Sequence, residues 1–260
     1  MPDIHSTALV SDAAQLADDV TVGPYSIIDG PAVIGPGCSI GAQAWIAGQV
    51  TMGSGNSIGH GVVIGSDPQD LGFDSATESG VTIGDGNTIR EYATIHRGSK
   101  AGGITTIGNR NFIMVGAHFG HDVAMGDENV IANNVLFAGH VTIGNQTFIG
   151  GGAMFHQFLR VGDLAIAQGK AGVGKDVPPF CVVHSTNRLG GLNVVGMRRA
   201  GLGPDERKEI KSAYALLFQS GKNLSEAVAE AGGRSWGPHA RKLIDAVQNP
   251  TKRGVLSRQA

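Results

Sequence analysis

The chain has 260 residues, of which 41% are hydrophobic and 41 are glycine, and it carries a formal net charge of −2. That apolar content excludes a disordered chain; no run reaches 18 consecutive apolar residues, and Met1-Pro2-Asp3-Ile4-His5 lacks a basic stretch followed by an apolar one, so we expect a cytoplasmic protein without stable membrane insertion. Cys38 and Cys181 lie far apart and outside any metal-like pair, as expected of buried small residues in a reducing compartment.

From the N-terminus, steps of six meet Ile4, Val10, Leu16, Val22, Ile28, Ile34, Ile40, Ile46, Met52, Ile58 and Ile64 without one polar residue. At this composition such a series arises by chance roughly once in twenty thousand trials, so the period is structural. It resumes as Ile83, Ile89, Ile95, Ala101, Ile107, Ile113, Phe119, Met125, Ile131, Phe137, Ile143, Ile149, Phe155, Val161, Ala167 and Val173. A period of six fits neither helix nor simple strand; it fits a short strand and a sharp turn, three per coil, stacked as a parallel β-helix. About nine coils at ~4.8 Å give a prism on the order of 45 Å long. The Gly that follows many apolar positions, as in Ile34-Gly35, Ile83-Gly84 and Ile107-Gly108, is expected to turn the corner.

Two polar stretches, 66–80 and 97–105, interrupt the hexads and must leave the prism as loops; the second preserves the phase. Beyond Val173 the hexads fade through Asp176-Val177-Pro178-Pro179. Gly203-Pro204-Asp205-Glu206 then opens a helix carrying Ile210, Ala213, Tyr214 and Leu217 and ending at Gly221. Asn223 with Glu226 caps a second helix, and Ala240, Leu243, Ile244 and Val247 mark a third. The organisation predicted is a β-solenoid over 1–190 and a helical domain over 191–260 that covers an open strand edge. Residues 188–260 hold 13 Lys and Arg against 6 Asp and Glu, while residues 1–187 hold 7 against 16. With no aromatic interleaving and no nucleic-acid module, this basic tail points to an acidic protein partner, through Arg207, Lys208 and Lys211, or to a solvated helical face.

Three hexads make an 18-residue coil, so positions 18 apart lie one above another. That register stacks His121-Asp122, Gly139-His140 and Gln157-Phe158 on one edge, with His156 beside it and His118 on the same coil as His121. By the same count His96 falls on another corner and reaches the cluster only across a wider cleft or from a neighbouring subunit. An imidazole next to a carboxylate makes a general base, His121 with Asp122, and the Gly139 N–H is placed to meet a developing oxyanion. No serine or cysteine has an activating partner, which favours direct transfer without a covalent intermediate. Three other readings stay open: a solvated polar ladder, a metal-dependent hydratase ligated by His118, His121 and His140, and a non-catalytic scaffold.

The strings Ile95-His96-Arg97-Gly98, Ala117-His118-Phe119-Gly120-His121-Asp122, Ala132-Asn133-Asn134, Ala138-Gly139-His140-Val141, His156-Gln157-Phe158 and Asp176-Val177-Pro178-Pro179 occur in this order, with Arg198-Arg199 in the tail. Together they resemble the UDP-N-acetylglucosamine O-acyltransferases of lipid A synthesis over the whole chain. The resemblance implies a left-handed β-helix and a homotrimer with sites between subunits. It implies transfer of an R-3-hydroxyacyl chain from the phosphopantetheine of acyl carrier protein to the glucosamine 3-hydroxyl, with no further cofactor and no metal.

It also assigns His121 as base, Asp122 as its orienting carboxylate and Gly139 as oxyanion donor. Asp70 becomes a sugar contact, and His96, His118 and His140 line the sugar and pantetheine region. His156, Gln157, Asn193, Arg198 and Arg199 surround the nucleotide, and Gly169 leaves the acyl groove long. Three positions depart from the family pattern: Gly72 where Lys is common, Val195 where Glu is common, and Ala200 where a second Arg would stand. They leave open an acceptor bearing a 3-amino group.

Overall fold

A computed structural model describes residues 1–257. The hexads fold as two- to four-residue strands that build three parallel sheets around one core. Sheet I, of 11 strands, starts at Asp3–Ile4; sheet II, of nine, starts at Leu9–Val10; sheet III, of eight, starts at Gln15–Leu16. In the two-residue strands from Thr21–Val22 onward the second residue faces inward, and Ile28, Ile34, Ile46, Ile64, Ile89, Ile95 and Ile113 are all buried to within 1%. At the site end the filling becomes aromatic: Phe119, Phe137 and Phe155 stack with centroids 5.2 and 4.8 Å apart. Burying side chains of this size contributes about 1.5–3 kcal/mol each.

Inside the core runs a polar ladder. Asn56, Asn87, Asn111, Asn129 and Thr147 are buried, and each backbone N–H after Asn56 donates to the side-chain oxygen one coil before it at 2.8–2.9 Å. Amides are tolerated here because every one is paired; an unpaired one costs about 1–3 kcal/mol.

The corners differ from the expectation. From Tyr25 onward the left-handed residue of an ordinary corner is the third after the inward-facing one, with φ of 57° at Gln43, 58° at Tyr92, 58° at Asp122 and 60° at His140, and glycine at Gly37, Gly55 and Gly86. Apart from Gly65, at φ 85°, the Gly immediately after the apolar residue is not left-handed. A Cβ at Gly35 would lie 2.8 Å from the Gly53 carbonyl, and one at Gly108 would lie 2.6 Å from Gly126 O. These glycines form a column that lets successive coils approach, while coil closure imposes the turn on whatever residue stands there, at about 1 kcal/mol for an L-residue.

Register is 18 residues for ordinary coils, as in Asp3↔Thr21. Across the first excursion Ser57 pairs with Thr88, 31 residues on, and across the second Thr94 pairs with His118, 24 residues on. The excursions therefore occupy 67–79 and 97–103, between the strands Val63–Ser66 and Gly80–Ile83, and Thr94–His96 and Ile104–Ile107. The second lengthens its coil by one hexad, which is why the period survives it. Ala101, counted in the apolar series, is exposed at its tip.

After Gly172–Val173 the chain does not pass straight into helix. Cys181–His184 extends sheet I in parallel, and Arg188–Leu192 returns antiparallel to close its edge. Four helices follow among the described residues: α1 (Val194–Arg199), α2 (Pro204–Gln219), α3 (Leu224–Gly232) and α4 (Pro238–Gln248). The last three are those the pattern predicts, with the Asn223–Glu226 capping box in place and Gly221 at φ 78° just past α2. The first, six residues long, carries no apolar period and escapes sequence reading. Ile210, Tyr214, Leu217, Leu243 and Ile244 join the solenoid's buried cluster, and Lys242 pairs with Asp163. Both cysteines are buried and free, and burial pushes the Cys181 thiol far above its usual range. Among the described residues no helix is long and apolar enough to cross a membrane.

The final segment docks back on the prism. Asp176, 4% exposed, accepts hydrogen bonds from Arg160 N at 2.9 Å, Thr251 N at 2.7 Å and Thr251 Oγ1 at 2.8 Å. Arg253 Nε reaches Gln157 O at 3.2 Å.

Candidate active site

The corner that follows sheet II gathers the chemistry. His121 and Asp122 lie one coil below Gly139 and His140, whose backbone is tied down by His140 N donating to His121 O at 3.0 Å. Above them Phe158 stacks on the His140 ring with centroids 4.6 Å apart.

Asp122 Oδ2 accepts from His121 Nδ1 at 2.8 Å, from Ser99 Oγ at 2.6 Å and from Ser99 N at 3.1 Å, and lies 3.5 Å from His140 Nε2. Its own N–H is fixed by Thr105 Oγ1 at 2.9 Å. Burial opposes ionisation of this carboxyl, yet the Ser99 and His121 hydrogen bonds and the nearby His140 hold it below the usual carboxylate range. A carboxylate at Nδ1 keeps the His121 proton there, which leaves Nε2 as the basic nitrogen. The ring lies over Gly139: a Cβ at that position would come within 2.5 Å of His121 Nε2. The Gly139 N–H donates to no acceptor among the described residues. Chemically, the arrangement can offer a base with an oriented tautomer beside an N–H able to meet an oxyanion.

His96 does not stand apart. The 24-residue coil returns Thr94 and Ile95 to His118 and Phe119, so His96 lies at the foot of the same corner, with its ring centroid 5.1 Å from that of His118. It is 7% exposed, with Nδ1 2.6 Å from Asp67 O and 3.2 Å from Ser66 Oγ. His118 Nδ1 bonds Thr94 Oγ1 at 2.8 Å, and burial, with His96 beside it, lowers its pKa to about 4. Burial also lowers that of His140, against the pull of Asp122. A hydratase would need His118, His121 and His140 around one ion. Instead, among the described residues, the group whose ligand atoms fall within 4.8 Å of one another is His121, Asp122 and His140.

The remaining predicted residues divide between this corner, where Asp70, His156 and Gln157 lie, and the other two corners of the prism. Asp70 sits exposed on the 67–79 loop, its Oδ1 accepting from Gly72 N at 2.9 Å. Asn193 caps α1, accepting from Gly196 N at 2.8 Å and donating to Leu164 O at 2.8 Å, and with Val195 and Arg199 it lines a cavity of about 360 Å³ at the corner before sheet I. Arg198 and Arg199 are exposed at the end of that helix, and Gly169 lies exposed at the corner after sheet I. His156 is exposed beside Gln157, near a cavity of about 610 Å³ lined by His140, Phe158, Arg160, Lys252 and Arg253. Sheets separate these three corners within one chain. Sequence reasoning missed Ser99, Thr105 and Arg97, because the loop that brings them in adds one whole hexad and leaves no trace in the period.

The hexad solenoid with this histidine–carboxylate pair is the architecture of a hexapeptide-repeat transferase, and the comparisons with known proteins agree. Residues 13–48 match the family described as "Bacterial transferase hexapeptide (six repeats)", and residues 176–256 match "Udp N-acetylglucosamine O-acyltransferase; Domain 2". An acyl-(acyl carrier protein):UDP-N-acetylglucosamine O-acyltransferase of Anaeromyxobacter dehalogenans is 44% identical over 254 residues, 97% of this chain and 98% of that one. Among solved structures, the UDP-N-acetylglucosamine acyltransferase of Francisella novicida superposes with a TM-score of 0.91 at 35% identity, covering 98% of this chain and 94% of that one. The Moraxella catarrhalis enzyme gives 0.90 at 38%, covering 97% and 99%. The chain belongs to the UDP-N-acetylglucosamine O-acyltransferase family.

Proposed function

We propose that the protein transfers an R-3-hydroxyacyl chain from the phosphopantetheine thioester of acyl carrier protein to the 3-hydroxyl of UDP-N-acetylglucosamine, the first step of lipid A synthesis. The observation that carries this reading is the His121–Asp122 pair at 2.8 Å, held against the free Gly139 N–H. His121 Nε2 takes the hydroxyl proton as the oxygen attacks the thioester carbon. Asp122 steadies the imidazolium, and Gly139 N–H donates to the oxyanion. Collapse expels the pantetheine thiolate, which recovers the proton from His121, so no covalent enzyme intermediate is needed. His96, His118 and His140 form the wall of the sugar and pantetheine site, and Asp70 meets the sugar from its loop.

His156, Gln157, Asn193, Arg198 and Arg199 serve the nucleotide, and the open Gly169 corner admits a long acyl chain. Their spread over three corners fits a homotrimer of left-handed prisms in which each site draws on adjacent chains, as the family resemblance implies. Outward-facing Leu9, Ile27 and Trp45 of sheet II, and Leu136 and Met154 beyond Thr94 and His118, are 39–66% exposed and form two apolar patches suited to that contact. The acidic carrier protein meets the helical region, where Arg207, Lys208 and Lys211 rim a cavity of about 530 Å³. Beyond the donor's own pantetheine no cofactor enters, and the setting is the cytoplasm.

The test is a mass-spectrometric assay of UDP-N-acetylglucosamine and its 3-amino analogue against hydroxyacyl carrier proteins of graded length. We expect an ester on the former, lost by about 10²–10⁴ in His121→Ala. Wild-type-like turnover in that variant, or acylation of the amino sugar alone, would sink the reading.

A further inference from the structure

The loop that carries Asp70 has little packing of its own: Asp67, Gln69, Asp70, Leu71 and Asp74 are exposed. What fixes it is a side chain from outside. Arg97 opens the second excursion, and its side chain is 12% exposed. Nε and Nη2 donate to Asp67 Oδ1 at 3.0 and 2.8 Å, and Nη2 also donates to Ser75 O at 2.8 Å. Nη1 donates to Thr77 O and, at 3.2 Å, to Ser79 Oγ, while the guanidinium carbon stands 4.9 Å from the Phe73 ring centroid. One planar fork thus holds the loop from its entry to its exit, a geometry that an ammonium cannot reproduce.

Two residues further on, Ser99 donates both Oγ–H and N–H to Asp122 Oδ2. The excursion is anchored to the end of the first loop by Ser79 Oγ donating to Gly98 O at 2.6 Å and Gly102 N donating to Glu78 O at 2.8 Å.

We propose that the 97–103 excursion is a positioning strap for the reaction: Arg97 sets the loop that presents Asp70 to the acceptor sugar, Ser99 sets the carboxylate that orients the base, and both are indexed to one short segment. Neither residue touches the reacting atoms. The inference rests on the acyltransferase reading for its kinetic consequences and on geometry alone for its structural ones.

Arg97→Met is expected to raise the KM for UDP-N-acetylglucosamine at least about tenfold with kcat held within about threefold, and Arg97→Lys to recover only part of the loss. Chymotrypsin should cut this variant at Leu71 or Phe73 several-fold faster, with no new cleavage in the prism. Ser99→Ala should behave in the opposite sense, with kcat down about tenfold and KM within about twofold, and Ser99→Thr, which keeps a hydroxyl, should restore most of the rate. Wild-type KM and cleavage in Arg97→Met overturn the proposal; so does a Ser99→Ala variant with full kcat, or one whose loss Ser99→Thr leaves uncorrected. Absence of turnover in the wild-type protein would instead refute the acyltransferase reading, while the protease comparison would still decide whether Arg97 holds the loop.

Discussion

At the scale of single residues, the site is a set of histidines in unequal surroundings. His118 is enclosed beside His96 and stays neutral down to a pKa of about 4, below the 6.5 of a free imidazole. The unfolded chain therefore binds a proton there that the folded one refuses. The resulting stability is complete above about pH 6.5 and erodes as pH falls toward 4. After allowance for screening of the partly exposed ring it amounts to about 1–2 kcal/mol. Urea denaturation of the wild type should show this loss between pH 7 and pH 4.5, and His118→Gln should flatten it; an unchanged slope in the variant would assign the titration elsewhere. His121, Asp122 and Gly139 were legible because a plain 18-residue coil joins them. His96 was misplaced and Ser99 unseen for one reason: the coil containing them has 24 residues, and six extra leave the period intact.

At the scale of elements, two kinds of glycine do different physical work. Gly108 stands where a Cβ would meet Gly126 O at 2.6 Å, backbone that cannot step aside, whereas Gly48, at φ 64°, has nothing within 4 Å. Overpacking costs about 1–3 kcal/mol and a left-handed L-residue about 1. Gly108→Ala should therefore lower the unfolding free energy by about 2–3 kcal/mol, beyond the roughly 1 kcal/mol of Gly48→Ala. Chemical denaturation of the two variants measures it, and equal losses would remove the distinction. The hexad pattern reports which residues face inward because burial selects them strongly. It misassigned the turn because glycine's frequency after the apolar position reflects coil-to-coil clearance, and coil closure holds Asp122, His140 and Phe158 in the left-handed region as readily as glycine. The helices with apolar stripes were readable; α1, anchored by the Asn193 cap instead, was not.

At the scale of the whole molecule, the prism distributes its parts. His121 stands at the corner after sheet II, Asn193 and Arg199 at the corner before sheet I, and Gly169 at the corner after it. If adjacent chains of a trimer complete one another, His121→Ala and Arg199→Ala damage opposite sides of a shared cleft. Chains of each kind, inactive alone, should regain up to about a quarter of wild-type activity when unfolded and reassembled together, since one pairing in four is intact on both sides. Activity no greater than the sum of the separate preparations would place the whole cleft within a single chain. In such a trimer two defective alleles of this kind would correct each other inside one cell, and the dispersal of the predicted site residues over three corners would make the enzyme's inheritance, and not only its catalysis, a property of the assembly.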